Sequence, residues 1–517
     1  MQSIRINPLD NVAVMLDDSS VEVPRGHKFA LRDIAAGENI IKYGMPIGRA
    51  TCAIRKGEHV HTNNMKTNLD GILEYTYSPV EITLRPEPCT ETFKGFRRKN
   101  GAVGIRNHIF IIPTVGCVNK LAHTLAERLN RTLPTGSVDR AIALEHPFGC
   151  SQLGGDHEMT RAILCGLVKH PNAGGVLVVG LGCENNTIDS FREKLGEIDT
   201  ERIKFLVAQK ESDEVAAGME ILKGLAARAA EDVRTDIPVS ELVVGLKCGG
   251  SDGLSGITAN PLVGRFSDWL TARGGSTILS EVPEMFGAET LLMARCRSRE
   301  VFDKCVAMVN DFKQYFTRYG QTIYENPSPG NKAGGISTLE DKSLGCTQKA
   351  GSSAVNDVLL PGEHVHEKGL NLLTGPGNDM VASTLLASSG AHLILFTTGR
   401  GTPFGAVVPT MKIASNSALA QFKPNWIDFD AGRVLARDGV DRVEGRVFPR
   451  RGRLARRHAH PLLLQGVRPR RRLPPLRDGD AVARGAAAHV REGRGRLRGL
   501  LPPGRAEQRL RVHLRAV

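Results

Sequence analysis

Cysteine and histidine are the residue types in this chain whose placement suggests chemistry. Cys117, Cys150, Cys183 and Cys248 each follow a short aliphatic run that ends in a glycine-containing turn. Such runs read as strands, so each thiol falls just past a strand's C-terminal end, the rim where open α/β sheets bind ligands. Cys346, in Leu344-Gly-Cys-Thr-Gln, is a fifth candidate. Thiolates on such a rim can ligate a metal, whereas a single cysteine there reads more simply as a small residue filling space beside a turn. His27, in Arg25-Gly-His-Lys-Phe, and the pair His59/His61 are the imidazole candidates. His-x-His on a strand puts both rings on one face, at a spacing a metal can use. The plainer alternative is two exposed histidines on a small β-domain. His146 precedes Cys150 in one strand-end loop, and Asp156 and His157 follow it, so a shared site can form there.

Glycine-rich turns supply a second kind of chemistry. Cys248-Gly-Gly-Ser-Asp-Gly-Leu-Ser-Gly256 offers backbone N–H groups at Gly249 and Gly250 together with Ser251, Asp252 and Ser255. A loop of that kind can hold a carboxylate or several hydroxyls. Lys332, in Asn326-Pro-Ser-Pro-Gly-Asn-Lys, and Arg400, in Gly399-Arg-Gly-Thr-Pro, add cations suited to an anionic substrate. Glu281 and Glu284 can ligate a metal or act as bases. Each feature also has an ordinary reading, as a tight turn or a solvated carboxylate. Val179-Gly-Leu-Gly-Cys lacks the third glycine of a dinucleotide fingerprint, and no Gly-x-x-x-x-Gly-Lys-Ser/Thr loop is present, so nucleotide binding has little support.

The elements that must position these groups follow from patterning. Residues 1–68 alternate in short stretches between Gly and Pro turns and read as a β-rich module. Residues 69–95 have little periodicity and read as a linker. Beyond them, aliphatic runs alternate with amphipathic stretches, which predicts two α/β units with mainly parallel sheets, residues 96–240 and 241–432. At about 150 residues per domain, a chain of 517 residues has room for three domains.

The net charge of +13 is concentrated in the tail, 433–517, which carries 23 arginines, no lysine and 7 acidic residues. The first 432 residues are therefore slightly acidic, and a nucleic-acid role can rest only on the tail. The tail also lacks Ile, Asn, Ser, Thr, Tyr, Trp, Met and Cys. That inventory fits a GC-rich gene read out of frame better than a nucleic-acid tail, and it predicts a disordered, non-native ending. No apolar run has the length of a membrane span, and no signal core opens the chain. Ten cysteines then imply cytoplasmic thiols or metal ligands.

Several motifs carry a family resemblance. Gly26-His-Lys-Phe-Ala-Leu, Lys42-Tyr-Gly-Met-Pro-Ile-Gly and Glu58-His-Val-His resemble the N-terminal SAF (β-clip) domain of the altronate/galactarate dehydratase family. Thr114-Val-Gly-Cys-Val-Asn, Gly149-Cys-Ser-Gln-Leu-Gly, Gly180-Leu-Gly-Cys-Glu-Asn-Asn, the Cys248–Gly256 loop, Glu281-Val-Pro-Glu-Met-Phe-Gly and Glu325-Asn-Pro-Ser-Pro-Gly-Asn-Lys resemble its body. The resemblance runs from about Ile4 to Gly432. It implies dehydration of D-altronate to 2-dehydro-3-deoxy-D-gluconate, with Fe2+ or Mn2+ as the metal; galactarate dehydration and sulfolactate sulfo-lysis are the alternatives within the family.

On this reading His27, His59 and His61 serve metal binding or proton transfer, joined as ligands by Cys150, Cys183 and Cys248, with His146 a further catalytic candidate. The Gly249–Gly256 loop, Lys332 and Arg400 hold the sugar acid. The chain departs from the family in a shortened segment between Val14 and Arg25, in Asn63 where a histidine often stands, and in its unrecognisable ending after about Gly432. A small sugar acid is the expected partner, and a homo-oligomer is compatible with the sequence.

Overall fold

The computed structural model describes residues 2–438 apart from Ser19, Pro134 and Thr135. The N-terminal alternation folds into seven strands: β1 (Ser3–Ile4), β2 (Val12–Met15), β3 (Lys28–Ala30), β4 (Asn39–Lys42), β5 (Met45–Ala50), β6 (His59–Val60) and β7 (Met65–Lys66). They form two antiparallel sheets, β1-β2-β3-β6 and β4-β5-β7. Their interior holds Val12, Ala30, Ile40, Ile47 and Val60, and it also takes in Ala288 and Leu344 from far along the chain. A domain this small cannot bury much apolar surface by itself, so sharing a core with its neighbour is its route to stability.

Residues 69–91 then cross the C-terminal domain without regular structure. Tyr75 donates to Glu289 (2.6 Å) and accepts from Lys313 (2.7 Å), and the Tyr77 hydroxyl reaches the Cys296 carbonyl. Regular structure resumes with β8 (Thr92–Arg97) and β9 (Val103–Gly104), followed by β10 (His108–Pro113), β11 (Ala141–Ala143), β12 (Ala173–Gly180) and β13 (Ile203–Val207). The last four make a parallel sheet in the order β11-β10-β12-β13. All eight residues of β12 are buried, as an unbroken small and aliphatic run requires when helices cover both faces. β14 (Thr235–Pro238) returns to pair antiparallel with β8.

The C-terminal domain is a seven-stranded parallel sheet of β15 (Val243–Cys248), β16 (Ser276–Leu279), β17 (Val355–Leu359), β18 (Gly369–Leu373), β19 (Leu393–Thr398), β20 (Thr410–Ala414) and β21 (Phe429–Asp430). Its order is β17-β18-β16-β15-β19-β20-β21. From β15 the chain steps to β16, skips one place to the edge strand β17, returns to fill the gap with β18, then crosses to β19 on the other side of β15 and winds outward through β20 and β21. The crevice between β15 and β19 is thus the switch point, where doubly wound sheets bind ligands. Helix Arg299–Arg318 shows why the helices lie where they do. Ser298 caps its first turn, and Val301, Phe302, Cys305, Met308 and Val309 form the buried stripe.

The chain continues past Gly432 into helix Arg433–Asp438, and Leu435 packs against the cluster of Ile4, Val14, Leu254 and Ile257. From Gly439 onward the tail readings (disorder, a shifted frame, nucleic-acid binding) fall outside the described residues. No helix among the described residues is long and apolar enough to cross a membrane.

Two lysines fasten the β-domain to the sheet. Lys28 and Lys42, both buried, reach opposite oxygens of Asp341 at 2.8 and 2.9 Å. Asp341 lies on helix Leu339–Cys346, whose cap, Thr338, donates to the Ile47 carbonyl of β5. Burial alone would lift the Asp341 carboxyl, but the two ammoniums override it and hold it well below the ordinary carboxylate range. Asp341→Asn leaves both buried ammoniums facing a neutral amide. Denaturant titration should show a loss of about 3–5 kcal/mol; a change under about 1 kcal/mol, the worth of an exposed pair, would contradict the fastening role.

Candidate active site

His27 follows the turn at Gly26, which has φ +82°, and leads into β3; His59 starts β6 and His61 follows it. Phe29 pairs with His59 across these strands, so the three imidazoles meet at one sheet end. Their ring centroids are 5.0–5.4 Å apart, and one ring nitrogen from each lies within 4.8 Å of the others. His27 Nε2 faces the Ala333 carbonyl, which leaves Nδ1 as a lone pair 3.0 Å from His59 Nε2. Two such nitrogens must share a proton or a cation. Ligands on bonds of about 2.1 Å at right angles stand about 3 Å apart, so this spacing fits a metal. His61 Nδ1 is steadied by Ser337 Oγ at 2.9 Å.

Electrostatics favours the same use. Burial, then the nearby His27 and Lys28, push His59 down to about 4. Burial and Lys28 do the same to His61, also to about 4, and burial lowers His27. All three rings are therefore neutral near pH 7 and available as donors. Neutral imidazoles suit divalent iron among first-row ions, so the residues present fit the ferrous iron that the resemblance implies. Asn63 is exposed on the turn after His61 and makes no contact in this trio.

The trio sits directly on the switch-point loop. Gly253 donates to the Gly334 carbonyl at 2.7 Å, and a Cβ on Gly253 would come within 1.9 Å of the Gly26 carbonyl. Only glycine permits the His27 turn to close on this loop. Gly250 has φ +61°, and its carbonyl accepts from Gly399 and Arg400 N–H, tying the loops after β15 and β19 together. Gly249 ends the strand beside Asp379. Asp252 is a brace: it accepts from Ser255 and Ser415 (2.8 Å each) and from Asn416 (3.0 Å). Ser251 presents its carbonyl to Asn331. Lys332 rides on the short helix Pro329–Ala333, next to the carbonyl that meets His27, and Arg400 is exposed beside Gly330. The expected sugar-acid loop and the helix that carries Lys332 thus meet the His27 turn, and Arg400 lies beside that helix.

The six expected metal ligands do not form one set. Cys248 lies in a separate buried cluster, 3.4 Å from Cys346 and 3.1 Å from Glu284, with Lys349 at 2.9 Å. Cys346 is also 3.1 Å from Glu284, so these three donors too stand within 4.8 Å of one another. Lys247 bonds Glu281, which is held at φ +72°, and Lys342 bonds Glu284 at 2.8 Å. Cys150 and Cys183, with Cys117, belong to the rim of the other sheet and have no contact with the imidazoles. His146 spends both ring nitrogens on backbone groups of Pro113 and Phe148 and braces that rim.

Sequence patterning missed Lys28, Lys42, Tyr43, Asp341 and Lys342. Lys42, Tyr43, Ser251, Ser255, Lys342 and Cys346 line a narrow cleft beside the switch-point loop, and the Tyr43 hydroxyl fills the space a Cβ would need at Gly256. The available signal was a lysine inside an otherwise apolar strand, as in β4 and β15. A larger cavity, about 730 Å3, opens beside Lys169, Arg202 and His392 and shares no residue with this site. Gly253→Ala should separate the imidazoles from the loop and lower turnover about 100-fold, with the far-ultraviolet dichroism retained. Unchanged turnover would show that the contact is dispensable.

Comparison with known proteins agrees with this architecture. Residues 1–68 match the altronate/galactarate dehydratase SAF domain, 95–230 the D-galactarate dehydratase/altronate hydrolase second domain, and 239–456 the D-galactarate/altronate dehydratase C-terminal domain. The last match runs past Gly432, where sequence reading had ended the resemblance. The altronate dehydratase of Bacillus subtilis is 55% identical over 455 residues, covering 84% of this chain and 91% of that protein. That of Escherichia coli is 55% identical over 451 residues, with the same coverage. The L-threo-forming galactarate dehydratase of Escherichia coli is 33% identical over 478 residues, 86% of this chain and 91% of that protein. The shared domain order, the near-complete coverage and the site described above place this chain in the altronate/galactarate dehydratase family of hydro-lyases.

Proposed function

We propose that this chain dehydrates D-altronate to 2-dehydro-3-deoxy-D-gluconate in cytoplasmic hexuronate breakdown, with ferrous iron or manganese held by His27, His59 and His61. One observation carries the reading: three neutral imidazoles are docked on the switch-point loop of the seven-stranded sheet. The 55% identity to two altronate dehydratases, against 33% to a galactarate dehydratase, supports altronate as the substrate.

The reaction breaks the C2–H and C3–O bonds. The C2 proton is weakly acidic because it lies beside a carboxylate, and its loss builds negative charge on the carboxylate oxygens. A divalent cation, when bound, stabilises that charge. Lys332 and Arg400 orient the carboxylate end of the sugar acid, and the N–H groups and hydroxyls of the Gly249–Gly256 loop hold the chain of hydroxyls. A general base facing C2 takes that proton. Lys342 stands in the cleft, and Glu284 keeps its ammonium protonated against burial. From there it donates a hydrogen bond to the C3 oxygen, which takes up a proton as the C3–O bond breaks and leaves as water. The resulting enol takes a proton at C3 and becomes the 2-keto acid.

An anaerobic assay of hexonates and hexarates with added ferrous iron tests this reading. Altronate should be the best substrate, chelation should abolish keto-acid formation, and iron should restore it. His59→Ala should lower turnover by at least about 100-fold, more than the usual effect of losing a group that merely orients a ligand. Full activity after rigorous metal removal, or preference for galactarate, would overturn it.

A further inference from the structure

The rim of the β11-β10-β12-β13 sheet repeats one dipeptide three times. Gly116-Cys117 follows β10, Gly149-Cys150 follows β11 and Gly182-Cys183 follows β12, and these are three adjacent parallel strands. All three thiols are exposed, as are Cys52 and Cys89 elsewhere in the chain, whereas Cys165, Cys248, Cys296, Cys305 and Cys346 are buried. Burial is the ordinary fate of a space-filling cysteine, and these three depart from it together.

Each pair of loops is joined beside the cysteines. Gly116 N–H donates to the Phe148 carbonyl at 2.8 Å, linking the Cys117 and Cys150 loops. Asn186 N–H donates to the Gly149 carbonyl, and Ser151 N–H to Asn185 Oδ1 at 2.8 Å, linking the Cys150 and Cys183 loops. Thr114 Oγ1 donates to Glu184 at 2.7 Å, and Asn186 Nδ2 to the Thr114 carbonyl, closing the ring. Glu184 also accepts from the N–H groups of Leu181 and Gly182, which helps hold its carboxyl below the ordinary value against burial. A Cβ on Gly149 would lie 2.0 Å from the Thr114 carbonyl, so the approach itself demands glycine. Helices Asn119–Thr132, Gly154–Val168 and Ile188–Leu195 start just after the three cysteines.

We propose that Cys117, Cys150 and Cys183 are the protein ligands of an iron–sulfur cluster, separate from the imidazole site. The three sulfurs do not all lie within 4.8 Å of one another, unlike the donors of the two compact groups in the C-terminal domain and at the imidazoles. A single tetrahedral ion needs its sulfurs about 3.8 Å apart, given bonds of about 2.3 Å. A cluster, whose ligands sit on different irons, takes the wider spacing that neighbouring strand ends provide. Three cysteines leave one iron of a four-iron cluster without a thiolate, open to an oxygen ligand.

The test uses the full chain, reconstituted anaerobically with ferric iron and sulfide under an excess of thiol, which supplies the reducing electrons. Wild type and His59→Ala should both gain broad visible absorption, about four irons and four acid-labile sulfides per chain, and a paramagnetic signal on reduction. Cys117→Ser, Cys150→Ser and Cys183→Ser should each lose the labile sulfide and the absorption, while Cys52→Ser keeps them. Thermal melts check that each variant is folded. Absence of labile sulfide in reconstituted wild type, a single sulfide-free ion on these cysteines, or retention of the cluster in Cys150→Ser would each overturn the proposal. Because His59→Ala is read by sulfide and absorption, failure of the dehydratase reading leaves this outcome distinguishable.

Discussion

The carboxylate of Asp341 accepts both ammonium groups that the N-terminal β-domain buries, Lys28 from β3 and Lys42 from β4. A buried carboxylate between two buried ammoniums has few alternative partners, so the pairing fixes where the β-domain rests and in which orientation. His27 precedes Lys28 directly, and His61 is bonded to Ser337, whose hydroxyl also takes Lys28 at 2.8 Å. The same triad therefore positions two of the three imidazoles. Lys28 itself is pulled down to about 8 by burial, with Asp341 opposing that pull. The shared core of Ile40, Ile47, Ala288 and Leu344 surrounds the triad with apolar contact and keeps water from competing for it.

Once the β-domain is fixed, the division of labour across the site becomes plain. The β-domain contributes the imidazoles. The doubly wound sheet contributes the crevice, the glycine-rich loop and the cations. Neither half makes a site alone, because the closest approach is backbone to backbone at Gly26, Gly253 and Gly334. Beneath the crevice, Lys247, Lys342 and Lys349 alternate with Glu281, Glu284 and the thiols of Cys248 and Cys346. This buried polar layer keeps Lys342 charged at the cleft wall and holds Glu281 in a left-handed backbone conformation that a side chain of its kind rarely takes.

Much of this was legible in the sequence, for reasons that can be named. Aliphatic runs ending in glycine marked β10, β12 and β15, since strands buried on both faces need no polar alternation. His-x-His on a strand brought His59 and His61 together, as the period of two requires. β17 was not marked, because Asn356 and Asp357 interrupt its apolar run, and the short, glycine-led β18 gave no clear signal. The four rim cysteines looked equivalent along the chain, yet Cys248 belongs to a different sheet from Cys117, Cys150 and Cys183. Strand order across a sheet is a tertiary fact with no local signature. Lys28, Lys42 and Asp341 were missed for a related reason: each is an ordinary surface residue by type, and only its partners some 300 positions away make burial affordable.

The central claim is that the β-domain's imidazoles and the switch-point loop form one site around one metal. Anomalous diffraction at the iron edge, from crystals of the iron-loaded protein grown anaerobically with altronate, tests it most directly. The account predicts a peak bonded to His27, His59 and His61, with the sugar acid between it and the Gly249–Gly256 loop and its carboxylate toward Lys332 and Arg400. A peak on other donors, with no density at the imidazoles and the sugar acid bound away from this loop, would contradict it.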